Sequence, residues 1–129
     1  MNASAQDPWR TNPPLGLVRH ELGHAFASLA FGAERCIISY DGNGWRSDVQ
    51  WKVRQPSERA VLASWLGGTV EPEYMSGEDV CVCSSIPKKL KFEILTELDD
   101  VFENLRSLDV RKLLDLSVQM GRDGKLVIE

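Results

Sequence analysis

Near the start of the chain, apolar residues recur at helical spacing between two sets of breakers. Leu15, Val18, Leu22, Ala25, Phe26 and Leu29 fall on one face of a 3.6-residue repeat, which predicts an amphipathic helix. Asn12-Pro13-Pro14 reads as its cap and first turn, and Gly32 after Phe31 as its stop. The period then changes. Cys36, Ile37 and Ile38 predict a short strand over 35–40, Asp41-Gly42-Asn43-Gly44 a turn, and 45–53 a second strand, together a hairpin. In the second strand Trp45, Ser47, Val49 and Trp51 alternate with Arg46, Asp48, Gln50 and Lys52, so one face is expected inside and the other in water.

Helical spacing returns at Pro56-Ser57-Glu58, where Ser57 caps a second helix through Val61, Leu62, Trp65 and Leu66. Gly67-Gly68 would let another helix approach closely, and the helix is expected to run to about Val70 before Pro72 interrupts it. Residues 71–87 read as irregular. A third helix is predicted over 88–105 from Leu90, Ile94, Leu98, Val101, Phe102 and Leu105, and a fourth, capped by Asp109, from Val110, Leu113, Leu114 and Met120. These two stripes read as core or as an oligomer face. A turn at 121–124 leads to a short apolar tail, 126–128, and residues 1–11 read as a loose polar arm with Trp9 pinned against the domain. The expected fold is α+β, mainly α, with a small β-hairpin and about four helices in a single domain spanning 1–129.

Composition narrows the partners more than the fold. At 129 residues, 43% of them hydrophobic and 26% charged, the chain has room for one core and no independent second module. A net charge of −4 gives no reason to expect nucleic acid as a partner. The longest nearly apolar run, 25–33, is far short of the roughly 20 residues a membrane span needs, and no export or anchoring signal is visible. Cys36, Cys81 and Cys83 form an odd set without a Cys-x-x-Cys pair, so they read as reduced thiols, small buried hydrophobes in a cytoplasmic protein.

The chemistry is concentrated in five residues. Both histidines of the chain lie in His20-Glu21-Leu22-Gly23-His24, inside the first predicted helix. Side chains four apart on a helix stand about 40° apart, so both imidazoles can hold one metal ion on the side opposite the apolar stripe. Zinc held by two neutral histidines and one further ligand keeps a place for water and lowers its pKa from about 15.7 towards roughly 7. Glu21, on the flank and not itself a ligand, is placed to act as the general base. Gly23, at a position where glycine weakens a helix, points to close approach of another backbone or of substrate.

With these motifs in view, the chain resembles the peptidase domain of the FtsH-type membrane-bound AAA+ metalloproteases over about residues 18–80. The likeness rests on His20-Glu21-Leu22-Gly23-His24-Ala25, the strand-turn-strand that follows, and Ala63-Ser64-Trp65-Leu66-Gly67-Gly68-Thr69-Val70-Glu71-Pro72-Glu73. The resemblance implies a zincin-like domain whose third zinc ligand is an aspartate beyond the second helix. Asp79 in Ser76-Gly77-Glu78-Asp79-Val80 is the nearest match, although the family aspartate begins a helix and Asp79 here lies in a stretch read as irregular. Glu71, Glu73 and, more distantly, Glu58 are rival ligands, and Glu71 could instead orient a ligating histidine.

The expected function is therefore a zinc metalloendopeptidase acting on protein or peptide substrates, with His20, His24 and Asp79 on Zn2+ and Glu21 as base. It would be a free-standing, phage- or prophage-like version without the ATPase, and homo-oligomers are possible by analogy. Two alternatives stay open. One is a small metallopeptidase that cleaves phage repressors or stress regulators, with Glu58 as third ligand. The other is a non-catalytic zinc-binding scaffold that grips a partner protein through an exposed edge strand.

Overall fold

A computed structural model describes residues 7–129. Seven α-helices and a three-stranded antiparallel sheet succeed one another among the described residues. They are α1 (Pro8–Thr11), α2 (Leu15–Ala30), β1 (Ala33–Tyr40), β2 (Trp45–Trp51), α3 (Glu58–Leu66), α4 (Gly77–Ser85), α5 (Lys88–Glu97), α6 (Asp99–Arg106), α7 (Val110–Asp123) and β3 (Lys125–Ile128). Two 3-10 turns, Gly67–Val70 and Pro72–Tyr74, join α3 to α4. The mainly helical α+β class is as expected, but there are three helices more than the apolar pattern indicated. None of the described helices is long and apolar enough to cross a membrane.

Helix α2 is the axis of the molecule. It packs against the sheet, α3, the first 3-10 turn, α6 and α7. Val18, Leu22 and Ala25 of the predicted stripe are fully buried, and Ala27 on the histidine side is buried too, so protein surrounds the helix on nearly every face. Each large apolar side chain buried in this way contributes about 1.5–3 kcal/mol. The helix starts later than the Asn12 cap implied. Asn12 ends α1, and Pro14 stands at the cap of α2 with no side-chain hydrogen bond, a position where the missing proline N–H costs nothing. Gly32, with φ of +104°, turns the chain out of α2 as expected.

The predicted hairpin forms with strand order β2-β1-β3, so β2 is an edge strand. Its alternation holds: Trp45, Ser47, Val49 and Trp51 are half-buried while Arg46, Asp48 and Gln50 are exposed. The apolar tail at 126–128 is a strand, pairing Leu126 with Ile38 and Ile128 with Cys36. Residues 7–11 are not loose. The Trp9 carbonyl accepts from Trp45 Nε1 at 2.5 Å, and Arg10 donates to the Gly121 carbonyl at 2.6 Å. Residues 1–6 of the expected arm lie outside the described residues.

Two corrections concern the C-terminal half. The stretch 71–87 contains α4, closed at its start by a capping box in which Ser76 and Asp79 satisfy each other's backbone N–H. The helix predicted over 88–105 is two, because a tightened turn at Leu98 is followed by Asp99 and Asp100, which favour a new helix N-terminus. Of the α7 stripe, Leu113 and Met120 are buried, whereas Val110 and Leu114 are exposed. Cys36 and Cys83 are buried as expected and Cys81 is exposed.

What draws α2 and α3 together is a glycine contact. A Cβ on Gly23 would run into the carbonyl oxygen of Gly67, and a Cβ on Gly67 into that of Gly23. The two backbones therefore meet without side chains between them. Gly23→Ala should lower stability by about 1–3 kcal/mol through overpacking. Gly77→Ala, which meets nothing within 4 Å, should leave stability unchanged or raise it slightly. Chemical denaturation of both variants measures the difference.

Candidate metal centre

Three elements converge on one point: the second and third turns of α2, the end of α3 with its 3-10 turn, and the first turn of α4. They bring His20, His24 and Asp79 together, all buried, with one ligand atom from each lying within 4.8 Å of the others. His20 Nε2 and His24 Nε2 are 3.2 Å apart. Asp79 presents Oδ2 to His20 Nε2 at 3.4 Å and Oδ1 to His24 Nε2 at 3.6 Å.

The orientation of the rings comes from backbone carbonyls. His20 Nδ1 donates to the Gly68 carbonyl at 2.8 Å, and His24 Nδ1 to the Ser64 carbonyl at 2.7 Å. A carbonyl only accepts, so each Nδ1 carries a proton and each ring turns its Nε2 inward, as a lone pair when the ring is neutral and as a donor to Asp79 when it is protonated. These acceptors come within reach, the Gly68 carbonyl accepting the Glu71 N–H at 3.2 Å as well as the ring, because α3 is ending there. Its last turns change from α to 3-10 geometry and leave carbonyl oxygens for the rings. Gly68 must be glycine for the same reason: a Cβ there would stand 2.5 Å from His24 Nε2 and 2.6 Å from His20 Cε1.

Asp79 is held from the other side. Its Oδ2 accepts the Ser76 N–H at 2.9 Å, and its own N–H donates to the Ser76 hydroxyl at 3.0 Å. It sits in the first turn of α4, where the helix dipole favours negative charge. Burial works against that charge. Hydrogen bonds from His20, His24 and the Ser76 backbone outweigh it and hold the carboxyl well below the usual carboxylate range. Burial also lowers the His24 pKa, but the Asp79 acceptor and the Glu21 charge prevail and move it above its ordinary value.

Two inward lone pairs and a buried carboxylate cannot stand together uncompensated; a proton or a cation must lie among them. The group can therefore hold a metal ion. Glu21, next along α2, is buried beside it, and burial pushes its carboxyl above the usual range against the pull of His24, the Ser47 hydroxyl and His20. The Ser47 hydroxyl donates to Glu21 Oε2 at 2.6 Å. Glu21, His24 and Asp79 line a cleft of about 450 Å³, walled by Ser47, Val49 and Trp51 of β2 and by Val61 and Trp65 of α3. Arg46 and Asp41, 3.6 Å apart, mark its charged rim.

The rival ligands are placed elsewhere. Glu71 accepts from Arg19 at 2.6 Å, and Arg19 is fastened in turn to the Leu105 carbonyl. Glu71 thus neither joins the cluster nor orients a histidine, because the carbonyls do that work. Glu73 and Glu58 are exposed and outside the cluster. Sequence reasoning missed Ser47, Ser64 and the role of Gly68. For Ser47 a signal existed: it is the one polar residue on the inward face of β2.

No family model matches the chain, and no curated protein and no solved structure matches it either.

The two protonation-linked states should respond oppositely to pH. Without metal, the raised His24 pKa stabilises the fold below about pH 6.5, and that stability is lost as pH rises through the folded-state value. With metal, the proton on His24 competes with the ion, so loading and the stability it confers should rise over the same interval. Melting temperatures of chelated and metal-saturated protein between pH 6 and 8 should have opposite slopes, and His24→Ala should flatten both.

Proposed function

We propose that this protein is a zinc-dependent metalloendopeptidase of zincin type, related in plan to the FtsH-type peptidase domain that its motifs resemble. His20, His24 and Asp79 hold the ion and Glu21 is the general base. The observation that carries the reading is the donor set. Atoms bonded to zinc at about 2.0–2.1 Å in a tetrahedral arrangement stand about 3.3 Å apart. The Nε2 to Nε2 and Nε2 to carboxylate separations, 3.2, 3.4 and 3.6 Å, bracket that value. Two imidazole nitrogens with one carboxylate oxygen also suit zinc better than the all-oxygen preference of magnesium or calcium. The place of Asp79 in the first turn of α4 supports the family reading, because the matching aspartate there begins a helix.

Zinc, when bound, supplies a Lewis acid that polarises a carbonyl and makes a nearby water easier to deprotonate. The rest is done by the chain. Glu21 takes the proton of the attacking water on the carboxylate oxygen that Ser47 leaves free, and delivers it to the departing amine nitrogen. A nearby cation favours the ionised carboxylate that this step needs, against the effect of burial. The outer edge of β2 offers unpaired backbone groups beside the cleft, so an extended peptide can add as a further strand. Val49, Trp51, Val61 and Trp65 give it an apolar wall.

Glu21→Gln keeps the size and removes the base. The zinc-loaded variant should retain one ion per chain, read by elemental analysis, and lose about 10²–10⁴-fold in hydrolysis of casein or a quenched peptide library. A Glu21→Gln protein that cleaves at the wild-type rate would remove the mechanism.

A further inference from the structure

We propose that Ser47 is a positioning residue for the general base: its hydroxyl, carried on the edge strand, fixes one oxygen of Glu21 and leaves the other to handle the proton. This rests on the peptidase reading of the same site. The geometry is specific. Ser47 donates to Glu21 Oε2 at 2.6 Å, a short bond to a carboxylate that is almost wholly buried. It makes no hydrogen bond to His20, His24 or Asp79, whose partners are Gly68, Ser64, Ser76 and one another. Ser47 therefore acts on the base and not on the ligands.

Its place in the sheet gives the bond a further consequence. Ser47 pairs with Ile38 in β1, and its neighbours on the inward face are Trp45, Val49 and Trp51. Among these apolar positions Ser47 alone carries a hydroxyl, and it is directed to Glu21. The opposite edge of β2 is unpaired and borders the cleft. A peptide adding to that edge bears on the strand that holds the carboxylate, so the same strand seats the substrate and sets the angle of the base. Loss of the hydroxyl should consequently appear in the chemical step and not in substrate capture.

The test compares zinc-loaded Ser47→Ala and Ser47→Thr with wild type, using a peptide selected from the library. Ser47→Ala should keep one ion per chain, lower kcat about tenfold, the rate equivalent of one charge-assisted hydrogen bond, and change KM less than about twofold. Ser47→Thr, which retains the hydroxyl and suits a strand, should recover most of kcat. A second readout needs no turnover. With cobalt(II) in place of zinc, the visible absorption of Ser47→Ala should shift from wild type, because a freed Glu21 alters the surroundings of the ion, while that of Ser47→Thr should match wild type. Should the threonine methyl disturb packing, seen as a lowered melting temperature, Ser47→Cys supplies a weaker donor and should fall between alanine and wild type. Wild-type kcat and an unshifted cobalt spectrum in Ser47→Ala would overturn the assignment. So would a loss of metal affinity in place of a kcat effect. If wild type cleaves no peptide, the peptidase reading fails, and the cobalt spectra still decide the role of Ser47.

Discussion

Everything at this site depends on two backbone carbonyls taking the Nδ1 protons of two histidines. Ser64 and Gly68 can do so only where α3 loosens into a 3-10 turn and where α2 comes close enough for an imidazole to reach them. The close approach comes from Gly23 on α2 and Gly67 at the start of the 3-10 turn that ends α3. Remove that contact and the helices separate by at least the width of a methyl group, the carbonyls move out of reach, and both rings are free to turn. The tautomer, the inward lone pairs and the convergence with Asp79 all follow from a helix crossing that contains no functional side chain.

The electrostatics complete what the crossing begins. Two neutral rings with inward lone pairs repel each other, and a buried carboxylate beside them carries its own desolvation cost. The fold offsets part of that cost at Asp79 with the Ser76 capping box and the N-terminal end of α4. It leaves the remainder to a positive charge placed among the three groups. Glu21 shares the helix with the histidines, and its carboxylate is tied to β2 and not to the cluster. The His20, His24 and Asp79 group and Glu21 therefore answer to different supports, the three-residue group to α3 and α4, Glu21 to the edge strand. This separation lets a carboxylate lie beside the candidate metal centre without joining the His20, His24 and Asp79 group.

Much of this was legible before the structure, and what was not has identifiable causes. The five-residue motif sits on a helix because period 3.6 governs 15–29, and the alternation in 45–51 held because one face of β2 meets the core and the other meets water. Local patterning failed where the deciding contact is distant. Asp79 lay in a stretch without apolar periodicity, and α4 is held by a capping box and a short buried side, Asp79 and Cys83, too brief to mark a repeat. Glu71 looked like a ligand because its partner, Arg19, is 52 positions away in sequence. Leu126 and Ile128 read as a tail because their pairing partners in β1 are far upstream. The backbone acceptors at Ser64 and Gly68 carry no side-chain signature at all, apart from the absence of one at Gly68.

The proposed site gives His20, His24 and Asp79 to one divalent cation. X-ray absorption at the zinc edge of purified, zinc-loaded protein, joined with anomalous diffraction from its crystals, reads this directly. The expected result is a single ion with two imidazole nitrogens and one carboxylate oxygen at about 2.0–2.2 Å, the ligands being His20, His24 and Asp79. An ion bound elsewhere, coordination that includes Glu21 or Glu71 in place of Asp79, or a folded protein that takes up no zinc would contradict it.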